Sequence, residues 1–355
     1  MAAWNNSGMT RRSFLALAGA CTTDRTLALS GLRPPKTVRL AVITDLHHGL
    51  APDALERLQA FVEAVQKHRN CDAVLQLCDF CYSQPASSEC LHLFATLKHQ
   101  KVHVLGNHDM DKCDKETAMK AWGMESRYGS LVINGLRIVY LDLNHFKKDG
   151  ELHSYQNGNY FTDGATHNWA DPEQLEWLER TLQTSAEPVL LLSHQPLGFA
   201  EKGRPLPPEQ LEVLDVIRQA RTKNPKGGVI ASLFGHLHVD RLEHVDAMPC
   251  LCLNSASYFW YEGMRPYTKP LFAFLEIEPT GIMRVQGVSG EFKDPPPEKS
   301  SEVIGRSASI RDREVTLRSK SLARWLAFWD RHSHAAIAHK NVKMLHLIRI
   351  AITQA

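Results

Sequence analysis

The apolar run Val104-Leu105 stops at Gly106 and delivers Asn107, His108 and Asp109, an amide, an imidazole and a carboxylate in succession. That is poor turn chemistry and good site chemistry, although a lone Asn-His-Asp is more often a polar loop after a buried strand. The pattern recurs along the chain. Asp45 and His47 close Ala41-Val-Ile-Thr, and Asp79 closes Ala73-Val-Leu-Gln-Leu-Cys. His194 closes Val189-Leu-Leu-Leu-Ser, and His236 and His238 close the run from Val229 to Gly235. Asp45, His47, Asp79, Asn107, His194, His236 and His238 supply hard oxygen and imidazole nitrogen donors in the mixture that suits Mn, Fe or Zn. Seven donors exceed one coordination sphere and suit two ions sharing one ligand, for which Asp79, alone at its strand end, is the natural bridging carboxylate. A metal pair about 3.5–4 Å apart lowers the pKa of a water and clamps both oxygens of a phosphoryl transfer. Gly106 and Gly235 precede donor positions where a side chain would crowd the ions.

Elements that could hold such residues alternate along the first half. Near-continuous apolar runs at Val38–Thr44, Ala73–Leu77 and 101–105 read as buried parallel strands. Between them, 52–68 carries Leu55, Leu58, Val62 and Val65 at helical spacing, and 89–98 reads as a second helix. This β-α-β-α-β order predicts a parallel sheet with ligands at the carboxyl ends of its strands. A strand follows at 137–143 after the Asn134-Gly135 turn. The polar, aromatic stretch 144–170 reads as a long loop over the site. Its Tyr155, Tyr160, Phe161 and Trp169 either stack on a substrate or pack among themselves. Asp171 and Pro172 start a helix, with Leu175, Leu178 and Leu182 on its buried side. Strands at 188–193 and 229–234 flank a helix at 208–221. Beyond His238, shorter β-like pieces predict a second, more antiparallel sheet. Tyr258, Trp260, Tyr261 and Arg265 lie among them, where they can line a pocket.

The 355 residues are 43% hydrophobic and 23% charged, as in globular proteins. The net charge of +2 conceals an asymmetry, because from Pro295 onward 11 Lys/Arg stand against 5 Asp/Glu, leaving 30 against 34 before it. A mildly acidic body argues against a nucleic-acid partner; the phosphoryl-transfer chemistry of the donor set points instead to a small phosphorylated substrate. Pro295-Pro-Pro297 is expected to close a domain spanning 36–292. The basic tail 295–355 then holds an amphipathic helix, Leu317 to His332, and either docks on the body, touches an anionic membrane surface or is poorly ordered. At the other end, Arg11-Arg12 before Phe14-Leu15 and a modest apolar stretch resemble a twin-arginine signal over residues 1–30, which implies an exported, periplasmic protein. Ala18-Gly-Ala20 fits a cleavage site. Lipid anchoring at Cys21 and a cytoplasmic protein with a basic leader are the alternatives. The eight cysteines permit disulfides after export but stay reduced if the chain folds in the cytosol.

Taken together and in order, Asp45-Leu-His47, Asp79, Gly106-Asn-His-Asp109, His194 and Gly235-His-Leu-His238 resemble the calcineurin-like metallophosphoesterases over about Val38 to Val288. The resemblance implies an α/β fold, a β-sandwich of mixed sheets flanked by helices in four α/β/β/α layers. It also implies one metal on Asp45, His47, Asp79 and His238, and a second on Asp79, Asn107, His194 and His236. His108 would protonate the leaving group, with Asp109 orienting it. Asp45-x-His47 points to the cyclic-nucleotide-phosphodiesterase-like branch. A purple-acid-phosphatase-like monoesterase and a non-catalytic metal-binding scaffold on the same fold are the competing readings. Two departures stand out: Cys78 where the family has Gly, and Asp79-Phe-Cys-Tyr82, which matches the Asp-x-x-Tyr of purple acid phosphatases. Because His47 is also present, Tyr82 is expected to pack rather than bind metal.

Overall fold

Strand β1 (Val38–Ile43) pairs in parallel with β2 (Ala73–Gln76), and β2 with β3 (Gln100–His103). This is the order expected from the three apolar runs, as seen in a computed structural model that describes residues 33–317 apart from 69, 83–86, 202 and 225–227. The signal segment 1–30 with Cys21, and the helix expected over 317–332 except Leu317 itself, lie outside the described residues. The crossovers are α1 (Ala54–Lys67) and α2 (Ser88–Ala95). Side chains alternate across β1 with a period of two. Leu40 and Val42 point into the main core, while Ala41 and Ile43 join Leu58, Phe61, Val62 and Phe94 beneath the two helices.

Helix α3 (Lys115–Trp122) occupies a stretch without clear periodicity. The Asp114 carboxylate caps it by accepting the Thr117 N–H at 2.8 Å, and Gly123 ends it at φ +65°. Strands β4 (Gly129–Ile133) and β5 (Leu136–Tyr140) form a hairpin on Asn134-Gly135, both at positive φ as a type I′ turn requires. The stretch expected as a loop is instead a small sheet of β6 (His145–Lys148), β7 (Glu151–Ser154) and β8 (Thr166–His167). Strands of four, four and two residues are too short for alternation to be read.

After α4 (Pro172–Thr184), capped by Asp171, come β9 (Pro188–Leu192), α5 (Pro208–Lys223) and β10 (Gly228–Phe234). The expected separate antiparallel sheet is not formed. Strands β11 (Arg241–Val245) and β12 (Met248–Cys252) extend the β10 sheet, and β13 (Tyr258–Trp260) and β14 (Met264–Pro266) make a hairpin. Strands β15 (Ala273–Ile277) and β16 (Ile282–Gly287) return to β1. Pro295–Pro297 does not close the body either. The chain runs on to an edge strand β17 (Arg313–Thr316), burying Ala308, Ile310, Val315 and Leu317 in the main core. Arg311 and Arg313, which fall in the expected basic tail, bind the buried Asp240 carboxylate, so this part of it docks on the body.

Two six-stranded sheets result, in the orders β17-β16-β15-β1-β2-β3 and β11-β12-β10-β9-β5-β4. Their facing side chains share one core. Leu178, Leu182, Val213, Leu214 and Ile217 of α4 and α5 pack on the second sheet as α1 and α2 do on the first. This is the four-layer α/β/β/α arrangement. The seven cysteines among the described residues are free thiols, and Cys250 and Cys252 are both buried in the main core. Among the described residues no helix is long and apolar enough to cross a membrane.

Candidate metal centre

Every donor picked out from the sequence follows the carboxyl end of a strand: Asp45 and His47 after β1, Asp79 after β2, Asn107 after β3, His194 after β9, His236 and His238 after β10. They converge in two groups, Asp45–His47–His238 and Asp79–His194–His236, with ligand atoms inside each group within 4.8 Å of one another. In the first, His47 Nε2 lies 3.0 Å from His238 Nε2, which lies 3.1 Å from Asp45 Oδ1. In the second, His194 Nε2 lies 3.0 Å from Asp79 Oδ2 and 3.2 Å from His236 Nδ1. His194 Nδ1 faces the Leu77 carbonyl at 2.9 Å, an arrangement that keeps a proton on Nδ1 and turns Nε2 toward the site. Thr44 Oγ1 donates to Asp45 Oδ2 at 2.6 Å and fixes that carboxylate.

The backbone is strained where the donors are. Asp45, His47, Asp79, His236 and His238 all have φ between +47° and +67°, a region that costs a non-glycine residue about 1 kcal/mol or more. Cross-links hold it there. Asp45 N–H donates to the Cys78 carbonyl at 2.7 Å, His47 N–H to Asp79 at 2.9 Å, and Ser255 Oγ to the Asp45 carbonyl at 2.8 Å. A Cβ on Gly106 would overlap the Asp79 carboxylate, and one on Gly235 the Asp45 carboxylate and Thr44 hydroxyl. The crowding expected at these glycines is thus with the donor carboxylates themselves.

The donors carry ionised carboxylates and mostly neutral rings. The exception is His194, whose pKa burial lowers but Asp79 and Asp45 raise to about 9, and which would release its Nε2 proton when a cation binds. Burial opposes charge on Asp45, yet His238 and His194 hold its carboxyl down at about 2. Asp79 is likewise buried but kept well below the carboxylate range by His194 and His108. His47 and His236 are pushed down to about 3, mainly by burial, so their rings are neutral. Asn107 is buried with neither amide atom hydrogen bonded. Ionised buried carboxylates, imidazole nitrogens aimed at one another and an unpartnered amide are a donor set that cations satisfy.

Residues 38–240 match the family model of the calcineurin-like phosphoesterases. The chain belongs to that family. It is therefore a metal-dependent phosphoric ester hydrolase, and the two donor groups fit the divalent metals the family uses. No curated protein matches the chain. Among solved structures, the GAP50 anchor of the Plasmodium inner membrane complex is 12% identical with a TM-score of 0.50, over 82% of this chain and 93% of that one. An archaeal phosphodiesterase is 14% identical with a TM-score of 0.37, over 71% and 100%. Vacuolar protein sorting 29 of Cryptosporidium parvum is 14% identical with a TM-score of 0.35, over 79% and 99%. At such identities the likeness is one of fold.

In this phosphoesterase the His108 ring is 5.3 Å from that of His47, and its backbone N–H donates to Asp79 Oδ1 at 2.9 Å. Asp109, expected to orient the ring, does something else. Its carboxylate accepts the N–H groups of Gly106 (2.9 Å), Phe80 (3.0 Å) and Cys81 (3.4 Å) and the Cys78 thiol. The carboxylate at His108 Nδ1 is that of Asp111, 2.8 Å away. His108–Met110 is a 3₁₀ turn, in which residues three apart fall on one side. That spacing was the available sequence signal for Asp111. Cys78 fits at φ +88° with its thiol fully buried, and it belongs to neither donor group.

The aromatic residues of the phosphoesterase divide by position. Tyr155 packs into a small core with Leu105, Met110 and Phe146, and the Trp169 indole N–H donates to Thr166. Tyr160 instead turns its hydroxyl toward His236 Nε2, 3.5 Å away. Tyr258 is buried beside His47 and His238, while the Tyr82 ring stands against Gly49. Arg265 Nε donates to the Tyr261 carbonyl at 3.2 Å.

Proposed function

We propose that this phosphoesterase is binuclear and cleaves small phosphodiesters or phosphomonoesters with His108 as general acid. The observation that carries the reading is the meeting of two three-residue donor groups beside one imidazole that is itself tethered to a carboxylate. Asp45, His47, Asp79 and His238 would hold one ion, and Asp79, Asn107, His194 and His236 the other, with Mn, Fe or Zn suited to the donors. Ions held there supply Lewis acidity toward phosphoryl oxygens and activate a water. The chain itself supplies the proton for the leaving alkoxide. Burial lowers the affinity of His108 for a proton, but Asp79 and Asp111 outweigh it and raise its pKa to about 9. Asp111 holds a proton on Nδ1, which leaves Nε2 as the ring atom that would carry the proton for the leaving oxygen.

All seven donors and the acid are retained, which favours an enzyme over a scaffold. His47 belongs to a donor group while the Tyr82 ring stands against Gly49, which favours the Asp-x-His branch over a tyrosinate-type monoesterase. The test is metal analysis with hydrolysis of bis-p-nitrophenyl phosphate and p-nitrophenyl phosphate, with and without Mn²⁺, for wild type and Asp79→Asn. About two ions per chain and diester turnover lost in Asp79→Asn support the reading, and mono-ester turnover alone makes it a phosphatase. Bound metal without turnover of either ester would favour the scaffold. The export reading is tested separately by fractionation after changing Arg11 and Arg12 to Lys.

A further inference from the structure

Five rings run in sequence across the centre. Trp260 lies with its ring 6.2 Å from that of Tyr258, and Tyr258 5.0 Å from His47. His47 lies 5.3 Å from His108, and His108 6.3 Å from Phe161. The middle of this series is covered, whereas its two ends, Trp260 and Phe161, are 61% and 70% exposed. Large apolar side chains this exposed are few. Six are exposed among the described residues, and four of them border the centre: Leu50, three residues after His47; Phe161; Trp260; and Met264, directly across the hairpin from Trp260. Exposed apolar surface gathered in one place marks a binding surface more often than the same residues scattered singly.

Both ends are held in place by polar anchors rather than by their own burial. Phe161 sits on a short turn whose Asn159 side chain accepts the Gln156 N–H at 2.8 Å and donates to the Ser154 carbonyl at 3.0 Å. Tyr160 beneath it packs edge-on against Tyr155. Trp260 leads into a tight hairpin tip in which Glu262 and Gly263 have positive φ and the Tyr261 N–H donates to the Gly263 carbonyl at 3.0 Å. A rim built this way is ordered before a ligand arrives, so little ordering cost attends binding.

We propose that Phe161 and Trp260 are apolar contact surfaces at opposite ends of the centre, Phe161 for the departing alcohol and Trp260 for a group on the other side of the phosphoryl, and that the ester cleaved carries an apolar aryl or alkyl substituent. The proposal rests on the centre being the phosphoester site. With the phosphoryl group between the donor groups and the leaving oxygen at His108, the departing alcohol lies on the Phe161 side. A group projecting past His47 and Tyr258 meets Trp260. A highly charged alcohol, such as a sugar phosphate, would meet rings where it needs cations.

The test is calorimetric binding of methylphosphonate, 1-naphthylphosphonate and dodecylphosphonate to the Mn²⁺-loaded protein, for wild type, Phe161→Ala and Trp260→Ala. Wild type should prefer at least one apolar ligand over methylphosphonate by about thirtyfold. Each truncation should cut that preference by roughly tenfold, with a much smaller effect on methylphosphonate, in the range of one removed aromatic contact. Preference for the naphthyl ligand identifies an aryl ester, and preference for the dodecyl ligand an alkyl or lipid ester. Equal affinity for all three ligands, or a preference that survives both truncations, overturns the proposal. A wild-type preference that the truncations abolish, without turnover of any ester, would remove the hydrolase reading and leave only the apolar binding surface of Phe161 and Trp260 standing, whereas no binding of any phosphonate would remove both.

Discussion

His108 Nδ1 and Asp111 Oδ2 lie 2.8 Å apart, and this contact decides which nitrogen of the ring faces the centre. Asp111 Oδ2 accepts from Nδ1, so Nε2 is the atom free to donate. Asp111→Asn should hold the ring less firmly and lower kcat by about 10–100-fold, within the usual contribution of a positioned general acid. Metal content should not change, because Asp111 is in neither donor group. If Asp111→Asn turned over at the wild-type rate across the pH range, the orienting role would belong elsewhere.

The same logic applies to the donors as a set. His47 and His238 present Nε2 atoms to each other at 3.0 Å, with Asp45 beside them. A bound ion relieves that juxtaposition, so folded and unfolded chains must differ in metal affinity. Ions at 100–1,000 times their Kd add about 3–4 kcal/mol, which corresponds to a rise in Tm of roughly 6–16 °C for a domain of this size. Chelation should lower Tm by that amount and Mn²⁺ or Zn²⁺ should restore it. A melting curve indifferent to chelator would mean that the groups hold no ion.

How much of this was legible depended on whether the signal was local. Each donor stands at the end of an apolar run, and the run and the donor are neighbours in sequence, so Asp45, Asp79, Asn107 and His194 could be read directly. Asp111 could not, because its role follows from a 3₁₀ turn rather than from the residue beside His108. The return of β15 to β1 was hidden for a different reason. Val38 pairs with Ile277, and nothing in either segment records a partner so distant. Whether the basic tail docks was undecidable for Arg311 and Arg313, since the buried Asp240 that binds them lies about seventy positions earlier.

His103, on β3, predicts a pH dependence of stability. Its ring lies 4.8 Å from that of Trp122 and 5.6 Å from that of Phe94, and its Nδ1 is buried without a partner. Burial, helped by Lys101, pushes its pKa down to about 4, against about 6.5 when unfolded. Between those values the unfolded chain takes up a proton that the folded chain refuses, so stability falls as pH drops from about 6.5 toward 4. The residue is only partly covered, so the loss between pH 7 and 5 should be about 1–2 kcal/mol. His103→Phe keeps the aromatic contacts and should lose that much less over the same interval in urea titrations. Parallel wild-type and variant curves would show that His103 titrates normally.

Cys78 makes the sharpest prediction about packing, because two effects there oppose each other. Its φ of +88° is a glycine conformation, and its thiol donates to the buried Asp109 carboxylate that also gathers the N–H groups of Gly106, Phe80 and Cys81. Burial and the neighbouring Asp109 and Asp79 carboxylates push the thiol pKa well up, so it remains a donor. Cys78→Gly loses the bond, worth about 1–2 kcal/mol, but relieves about 1–2 kcal/mol of backbone strain, and should stay within about 1 kcal/mol of wild type. Cys78→Ala loses the bond and keeps the strain, and should cost about 1–2 kcal/mol. Removing more atoms from a buried site ordinarily costs more, so the expected order, Gly above Ala, is the inverse of simple cavity formation. Urea midpoints with Ala above Gly would show that this backbone stores no strain and that Cys78 is held only by its packing.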